Sequence, residues 1–333
     1  MTEKEISIGV FEPVAEMTGG KAYRKALCDA LARKYDVEIF DVSGGRGLIP
    51  SVRLRRMKSI ACISERKDVW IRDFSPVVGM SVRHNPGKNI ALFHHLYTVG
   101  EETDMLDRVF EALFRRNVRR CDRVVAVSNF WRDYLCGLGL TDVRVIRNGL
   151  DPSRFVFDPK EVKAFREKHR FSDSPIIYIG NCRRDKGVVE VYEALKDQNY
   201  QLVTSGEPEV DLPCRNLNRP YDEYLLLLKA SSAAVTMSRF REGWCRTAHE
   251  AMLCNTPVIG SGTGGMAELL KGGNQVICRD ISELPHLVRD VIGRRKSLGK
   301  EGYRFASSFT MERFEKQWTD LIEEVVRDGP RIE

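Results

Sequence analysis

At 333 residues the chain is too long for one ordinary core and suits two domains of common size. Its 42% hydrophobic and 30% charged residues fit a soluble globular protein, and no apolar run reaches the roughly 18 residues of a membrane span. Residues 1–150 hold 25 Lys and Arg against 19 Asp and Glu, so the whole net charge of +6 lies there, but it is not interleaved with stacking aromatics, which argues against nucleic acid.

The opening "MTEKEISIGV" places acids before a short strand-like run, unlike a secretory signal. Nine cysteines, odd in number and never spaced CxxC, argue for reduced thiols in the cytoplasm and against a zinc cage or disulfide framework. From there the chain alternates short apolar runs with amphipathic stretches. "ISIGVF" reads as a buried strand, and Gly19 and Gly20 precede a helical pattern through Ala22, Leu27, Ala30 and Leu31. "VEIFDV", "DVWIRDF", "NIALFHH" and "RVVAVS" follow as strands. Between them, residues 51–100 hold 9 basic and 3 acidic side chains, densest in "SVRLRRMK". That region, 51–72, reads either as a solvated loop or helix face, or as a peripheral contact for anionic lipid or a phosphorylated acceptor. In "SNFWRDYLCGLGL" Ser128 is an N-cap and Gly137 or Gly139 a stop. "VRVIRNG" closes the first series.

After a charged helix, "PKEVKAFREKHRF", the pattern restarts with "PIIYIG", a Lys-Gly turn and "GVVEVYEAL", then "YQLVTSG", "AAVTMS" and "TPVIGS". Continuous apolar strands separated by helices imply parallel sheets covered on both faces. Two such series, broken near residue 155, imply two doubly wound α/β domains. The final "TMERFEKQWTDLIEEVV" is long enough to reach back across a domain boundary.

Ligands of such sheets sit beyond the carboxyl ends of the strands, so the turns after strands matter most. "EMTGGKAY" and "SGTGGMAEL" pair glycines ahead of a helix. "GNCRRDKGV" adds Arg183, Arg184 and Lys186, and "SRFREGWC" carries Glu242. If Glu242 opens a helix that contains Glu250, the two carboxylates lie about 12 Å apart along the axis and about 80° apart around it. That is too far for a paired acid and base, which face each other within about 10 Å. It suits two grips on one elongated ligand, such as a nucleotide sugar, with the basic turn balancing its diphosphate. The plainer alternative is a helix-capping Glu242 and a surface Glu250.

The segment from Glu242-Gly243-Trp244-Cys245 through Glu250-Ala251-Met252 and Pro257-Val258-Ile259 to Gly264-Gly265 and Glu268 resembles the signature of the family-4 (group 1) retaining glycosyltransferases of GT-B fold. "VVAVSNFWRDYL", "VRVIRNGLDPSRF", "YIGNCRRDKGV" and "SFTMERFEKQW" extend the similarity, which is weakest over residues 45–90. The resemblance implies two Rossmann-like domains facing a central cleft: an acceptor-side domain over 1–155, a nucleotide-sugar domain over 156–308, and a helix over 309–333 packing back on the first. It implies that Glu242 binds donor-sugar hydroxyls with the backbone of Gly243, Trp244 and Cys245. Glu250 would bind the ribose and Lys186 the diphosphate. The loop around Asn216–Arg219 would lie near the base, Gly19 and Gly20 would face phosphates or acceptor, and His94 or His95 would stand near the reacting sugar.

Three departures stand out. Asn181 occupies the place of an expected arginine, leaving Arg183 or Arg184 to supply that charge. Cys245 replaces the second glycine of the motif. Arg246 replaces a small or apolar residue and could meet donor phosphate or a charged sugar. The expected activity is hexosyl transfer with retention and front-face attack. The donor is a nucleotide diphosphate sugar, and the acceptor a lipid, glycan or small molecule. No cofactor and no metal are expected, since no DxD stands at a strand end. A 2-epimerase of similar fold and a non-catalytic sugar-nucleotide-binding protein are the competing readings.

Overall fold

The computed structural model describes residues 6–12, 19–44, 51–96 and 105–328. In chain order the first series is β1 (Ser7–Glu12), α1 (Gly19–Leu31), β2 (Asp36–Asp41), α2 (Val52–Cys62), β3 (Val69–Arg72) and α3 (Phe74–Gly79). It continues with β4 (Lys88–Phe93), α4 (Met105–Asn117), β5 (Arg123–Ala126), α5 (Asn129–Gly137) and β6 (Val143–Val145). The second series is α6 (Pro159–Lys168), β7 (Ile176–Asn181), α7 (Val188–Leu195), β8 (Gln201–Ser205), β9 (Arg215–Leu217) and α8 (Tyr221–Ala230). Then come β10 (Ala233–Thr236), α9 (Arg246–Leu253), β11 (Val258–Gly260), α10 (Met266–Gly272), β12 (Val276–Ile277), α11 (Leu284–Gly293) and α12 (Arg295–Ala306). A last helix, α13 (Met311–Arg327), closes the chain.

Two compact units result: residues 1–149 with 311–333, and residues 150–310. Each holds one six-stranded, all-parallel sheet. The apolar runs are buried on both faces, as in β7, where Ile176, Ile177, Tyr178 and Ile179 are inaccessible to solvent. This is why they read as continuous rather than alternating hydrophobics.

In the first unit the strand order is β2-β1-β3-β4-β5-β6. Its direction reverses between β1 and β3, so the crevice of this sheet lies beyond Glu12 and Arg72. Trp70 lies under Gly9, where any side chain would collide with the indole. Beside it Arg72 is fully buried, held by the amide oxygens of Asn89 at 2.7 Å and Asn85 at 3.1 Å and by the face of Phe11 at 4.6 Å. Burial pushes its guanidinium down to about 10. α13 presents Phe314, Trp318, Leu321, Ile322 and Val325 on one stripe and buries them in this unit. Each is worth roughly 2 kcal/mol by area. Trp318 donates its indole N–H to Tyr23 at 3.1 Å, and Tyr23 donates to the carbonyl of Ile146 at 2.8 Å. The basic stretch is helical from Val52 to Cys62, with Val52 and Leu54 exposed beside its arginines.

In the second unit the order is β12-β11-β10-β7-β8-β9, reversing between β7 and β10. The entry helix α6 is set by Pro159 at its first turn and a reciprocal cap between Asp158 and Glu161. Among the described residues no helix is long and apolar enough to cross a membrane.

Candidate functional site

The two loops that leave the central strands of the second sheet meet at its reversal point. After β7 the chain makes a tight turn through Arg183–Lys186 and Gly187, whose φ of +70° is left-handed. A side chain on Gly187 would strike the carbonyl of Met237 at 2.2 Å, so only glycine lets the two loops approach this closely. After β10 the chain runs through Ser238 to Glu242 and lies against the glycine turn before α10. Glu242 pairs with Gly264, and its carbonyl accepts the N–H of Gly265 at 2.8 Å.

Lys186 and Glu242 come together there. The Lys186 ammonium lies 2.7 Å from Glu242 Oε1, which also accepts the Ser238 hydroxyl at 2.5 Å. Burial works against the lysine charge, but its neighbours, Glu242 foremost, together outweigh it and the pKa is raised. Phe240 covers the ammonium, its ring centre 4.4 Å away. Glu242 therefore does not open a helix, contrary to the sequence expectation. α9 begins only at Arg246, because Cys245 ahead of it is left-handed at φ +65°. A non-glycine residue pays about 1–2 kcal/mol there, the conformation that a glycine at this motif position would adopt freely. The Cys245 thiol is buried and pushed up to about 12, so it is neutral.

Glu250 is not on the surface either; it is 3% exposed within α9. Its Oε1 accepts the Tyr221 hydroxyl at 2.7 Å and Arg246 Nε at 2.7 Å. Arg246 thus faces Glu250, one helical turn away, where the sequence suggested donor phosphate or a charged sugar. Arg154 lies over the Tyr221 ring at 5.1 Å.

Trp244 points inward and donates its indole N–H to His249 Nδ1 at 3.2 Å. Since indole can only donate, the His249 proton sits on Nε2, 3.0 Å from the carbonyl of Ala306. His249 is fully buried, and burial lowers its pKa to about 4, so the ring is neutral. It ties the Glu242 loop to the end of α12.

The other sequence candidates divide. Gly243 is buried beside Glu242. Arg183 is drawn to Asp185 at 2.8 Å and Glu209 at 3.4 Å, while Arg184 is exposed. Of the expected loop Asn216–Arg219, Asn216 stands on β9 while Asn218 and Arg219 follow it in a loop, and the Asn216 amide joins Thr204 at 3.0 Å to the carbonyl of Gly206 at 3.0 Å. Gly19, Gly20, His94 and His95 belong to the first unit. Gly19 and Gly20 open α1, and Glu16–Thr18 of the preceding stretch lie outside the described residues. His94 follows β4 and packs edge-on against Tyr23 at 5.0 Å. Burial, with Arg24 and His95 nearby, holds it well below the usual imidazole range. Tyr221, Ser238 and His249 were not anticipated. Ser238 stands four residues ahead of Glu242, a spacing with no chemical signature until the loop is folded. Among the described residues no three His, Cys, Asp or Glu side chains form a metal-binding group.

Two family models match the chain. The family described as Glycosyltransferase Family 4 matches residues 72–154, and the family Glycosyl transferases group 1 matches residues 159–298. The chain belongs to the family-4, group 1 glycosyltransferases. The group 1 match contains Lys186, Glu242 and Glu250; the family-4 match contains His94 and His95 but stops short of Gly19 and Gly20. The glycogen synthase of Mycobacterium tuberculosis is 27% identical over 212 residues, covering 56% of this chain and 49% of that protein. An uncharacterised glycosyltransferase of Methanocaldococcus jannaschii is 23% identical over 219 residues, covering 60% and 59%. The matched part is thus only about half of those relatives' length. The sucrose-phosphate synthase of Thermosynechococcus elongatus shares the GT-B fold at a TM-score of 0.82 and 18% identity, covering 96% of this chain and 99% of that one. Anabaena HepE in complex with UDP and glucose superposes at 0.74 with 16% identity, covering 96% and 99%.

Proposed function

We propose that this glycosyltransferase moves a hexose-type sugar from a nucleotide diphosphate sugar to an acceptor hydroxyl with retention at the anomeric carbon. The observation that carries the reading is the 2.7 Å contact between Lys186 and Glu242 at the reversal point of the second sheet. It sets one cation and one carboxylate where an α/β sheet receives a phosphorylated ligand. On donor binding Lys186 turns to the diphosphate and Glu242 takes the sugar hydroxyls, with the backbone of Gly243, Trp244 and Cys245 alongside. Glu250, steadied by Arg246 and Tyr221, takes the ribose. Developing charge on the departing diphosphate is stabilised by Lys186 and by Arg184, the exposed arginine of the same turn.

Glu242 is suited to binding rather than nucleophilic attack. Its Oε1 accepts the Ser238 hydroxyl at 2.5 Å, a bond that stays when Lys186 turns to the diphosphate and that stabilises the carboxylate. That favours front-face attack by the acceptor. UDP-glucose is the donor to try first, since HepE has been seen with it. A cytoplasmic protein with peripheral membrane contact through α2 fits the exposed Val52 and Leu54 among its arginines.

Incubation with labelled UDP-, GDP- and ADP-sugars tests the reading. Transfer yields nucleotide diphosphate and a glycoside of unchanged anomeric configuration. An epimerase yields a new sugar nucleotide without acceptor, and a binding protein yields thermal stabilisation alone; either result overturns the proposal.

A further inference from the structure

The amino-terminal edge of the second sheet, the end away from Lys186 and Glu242, gathers three cations. α8 ends at Ala230, and the chain turns there into β10. Arg166, from α6, donates to the carbonyl of Ala230 at 3.4 Å and to that of Ser172 at 2.6 Å. Arg295, the first residue of α12, donates through Nη2 to the carbonyl of Ser231 at 2.9 Å and to that of Lys229 at 3.4 Å. Lys229, on α8 itself, donates to the carbonyl of Cys254, which caps the end of α9, at 3.0 Å. Arg166 and Arg295 thus bind the carbonyls of consecutive residues, Ala230 and Ser231, and share one small patch.

All three are half-buried, and among the described residues none has a carboxylate within ion-pair distance. Other cations of the same helices do have one: Lys168 pairs with Glu223, and Arg294, next to Arg295, pairs with Asp290. The three instead repel one another. Burial lowers the pKa of Lys229, and Arg295 adds to the effect. Burial likewise lowers that of Arg295, and Arg166 adds to it. The Cys254 thiol works the other way on Lys229 but is kept neutral by its own burial.

Helix capping accounts for only part of this charge. Basic side chains often bind terminal carbonyls, and a helix end carries about half a negative charge. The ends of α8 and α9 together supply about one negative charge against three positive side chains, which leaves a surplus of about two. Arg295 is not placed for the benefit of its own helix, since the dipole disfavours a cation in the first turn. A surplus of that size matches a dianion, and a carboxylate would cancel only half of it. Guanidinium forks also fit phosphate oxygens, and lysine adds a point charge. We infer that Arg166, Lys229 and Arg295 bind the phosphoryl dianion of a small soluble molecule, inorganic phosphate or a phosphate monoester. The site lies at the opposite edge of the sheet from the donor turn and stands independently of the transferase reading.

The test is calorimetric titration of the full chain, at constant ionic strength, with inorganic phosphate, glycerol 3-phosphate and acetate. Saturable binding of at least one of the two phosphates, and tighter than that of acetate, is expected. Arg166→Gln should weaken it at least about tenfold, the loss of one charge-assisted hydrogen bond. Lys186→Met, which removes the cation of the donor turn, should leave it within about twofold. No phosphate binding, acetate binding as tightly, an unchanged affinity in Arg166→Gln, or a loss in Lys186→Met alone overturns the inference. Vesicles of phosphatidic acid in phosphatidylcholine separate a lipid source from a soluble one: binding to vesicles without binding to either free phosphate also overturns it. Should Arg166→Gln fail to fold, hydrogen exchange of the unaltered chain decides. Phosphate should then protect the amides of residues 229–232, and protection confined to residues 182–188 would place the anion at the donor turn instead.

Discussion

Lys186 and Glu242 lie 56 residues apart in sequence and 2.7 Å apart in space, joined across the loops of two adjacent parallel strands. Each partly shields the other from the cost of burial, so removing one leaves the other uncompensated. Lys186→Met and Glu242→Gln are each expected to lower stability by about 1–2 kcal/mol, discounted because the lysine is a quarter exposed. The double variant should lose less than the sum, with a coupling of about 1 kcal/mol in urea unfolding. Additive losses would show that the pair is not coupled. For activity, Glu242→Ala should cost at least about 100-fold in kcat/KM, and unchanged turnover would reject its role.

Arg246 and Tyr221 meet the same oxygen of Glu250 but differ in what their loss leaves behind. Arg246→Met strands a buried carboxylate and should cost about 3 kcal/mol. Tyr221→Phe removes one hydroxyl while the arginine remains and should cost about 1 kcal/mol. Chemical denaturation checks the order; equal effects would show that the ion pair is not the main support of Glu250.

His249 links pH to stability. Its pKa is near 4 in the fold against an ordinary value of 6.5. Its neutral form is therefore favoured by folding, and that stability is fully present above pH 6.5. It is lost as pH falls through the interval from 6.5 to 4, at about 3 kcal/mol in all. His249→Gln keeps a hydrogen-bonding side chain that does not titrate. Urea midpoints taken from pH 7 to pH 4 should fall less steeply for this variant than for the unaltered chain, and parallel curves would exclude His249 as the cause.

Gly264 controls where Glu242 sits. At φ +63°, with a hypothetical methyl 2.4 Å from the Glu242 carbonyl, it tolerates no side chain without moving that loop. Gly264→Ala should weaken UDP-sugar binding by about tenfold or more. Gly293→Ala, where a methyl meets nothing within 4 Å, should leave binding unchanged. Calorimetric titration of both separates local displacement from general damage.

Trp318 is the largest anchor of α13 and is fully buried against Tyr23. Trp318→Ala should destabilise the first unit by about 3–5 kcal/mol. Hydrogen exchange should show the loss in β1 and α1, and protection there equal to that of the unaltered chain would contradict it.

The two sheets were readable from the sequence because their strands are buried on both faces, so Ile176–Ile179 and Val258–Ile259 appear as unbroken apolar runs. The helix starts were readable where capping chemistry marks them, as at Pro159. The start of α9 was not, because a left-handed cysteine has no sequence signal; the helix begins four residues after Glu242 rather than at it. Glu242, Glu250 and Lys186 were recognisable in the sequence by motif and charge. Their partners Ser238, Tyr221 and His249 were not, since each is assembled by tertiary contact. The basic run at 51–58 gave its charge and left loop and helix open; the structure makes it helical from Val52.

The second unit begins and ends side by side. Leu150 donates its N–H to the carbonyl of Phe309 at 3.0 Å and pairs with Thr310. Topologically that unit is an insertion, contiguous in the chain, whereas the first is split between the two termini. A ribosome therefore delivers everything the inserted unit needs before the final helix has been made. The unit that starts first finishes last: until translation reaches Val325, the groove on α1 stays uncovered.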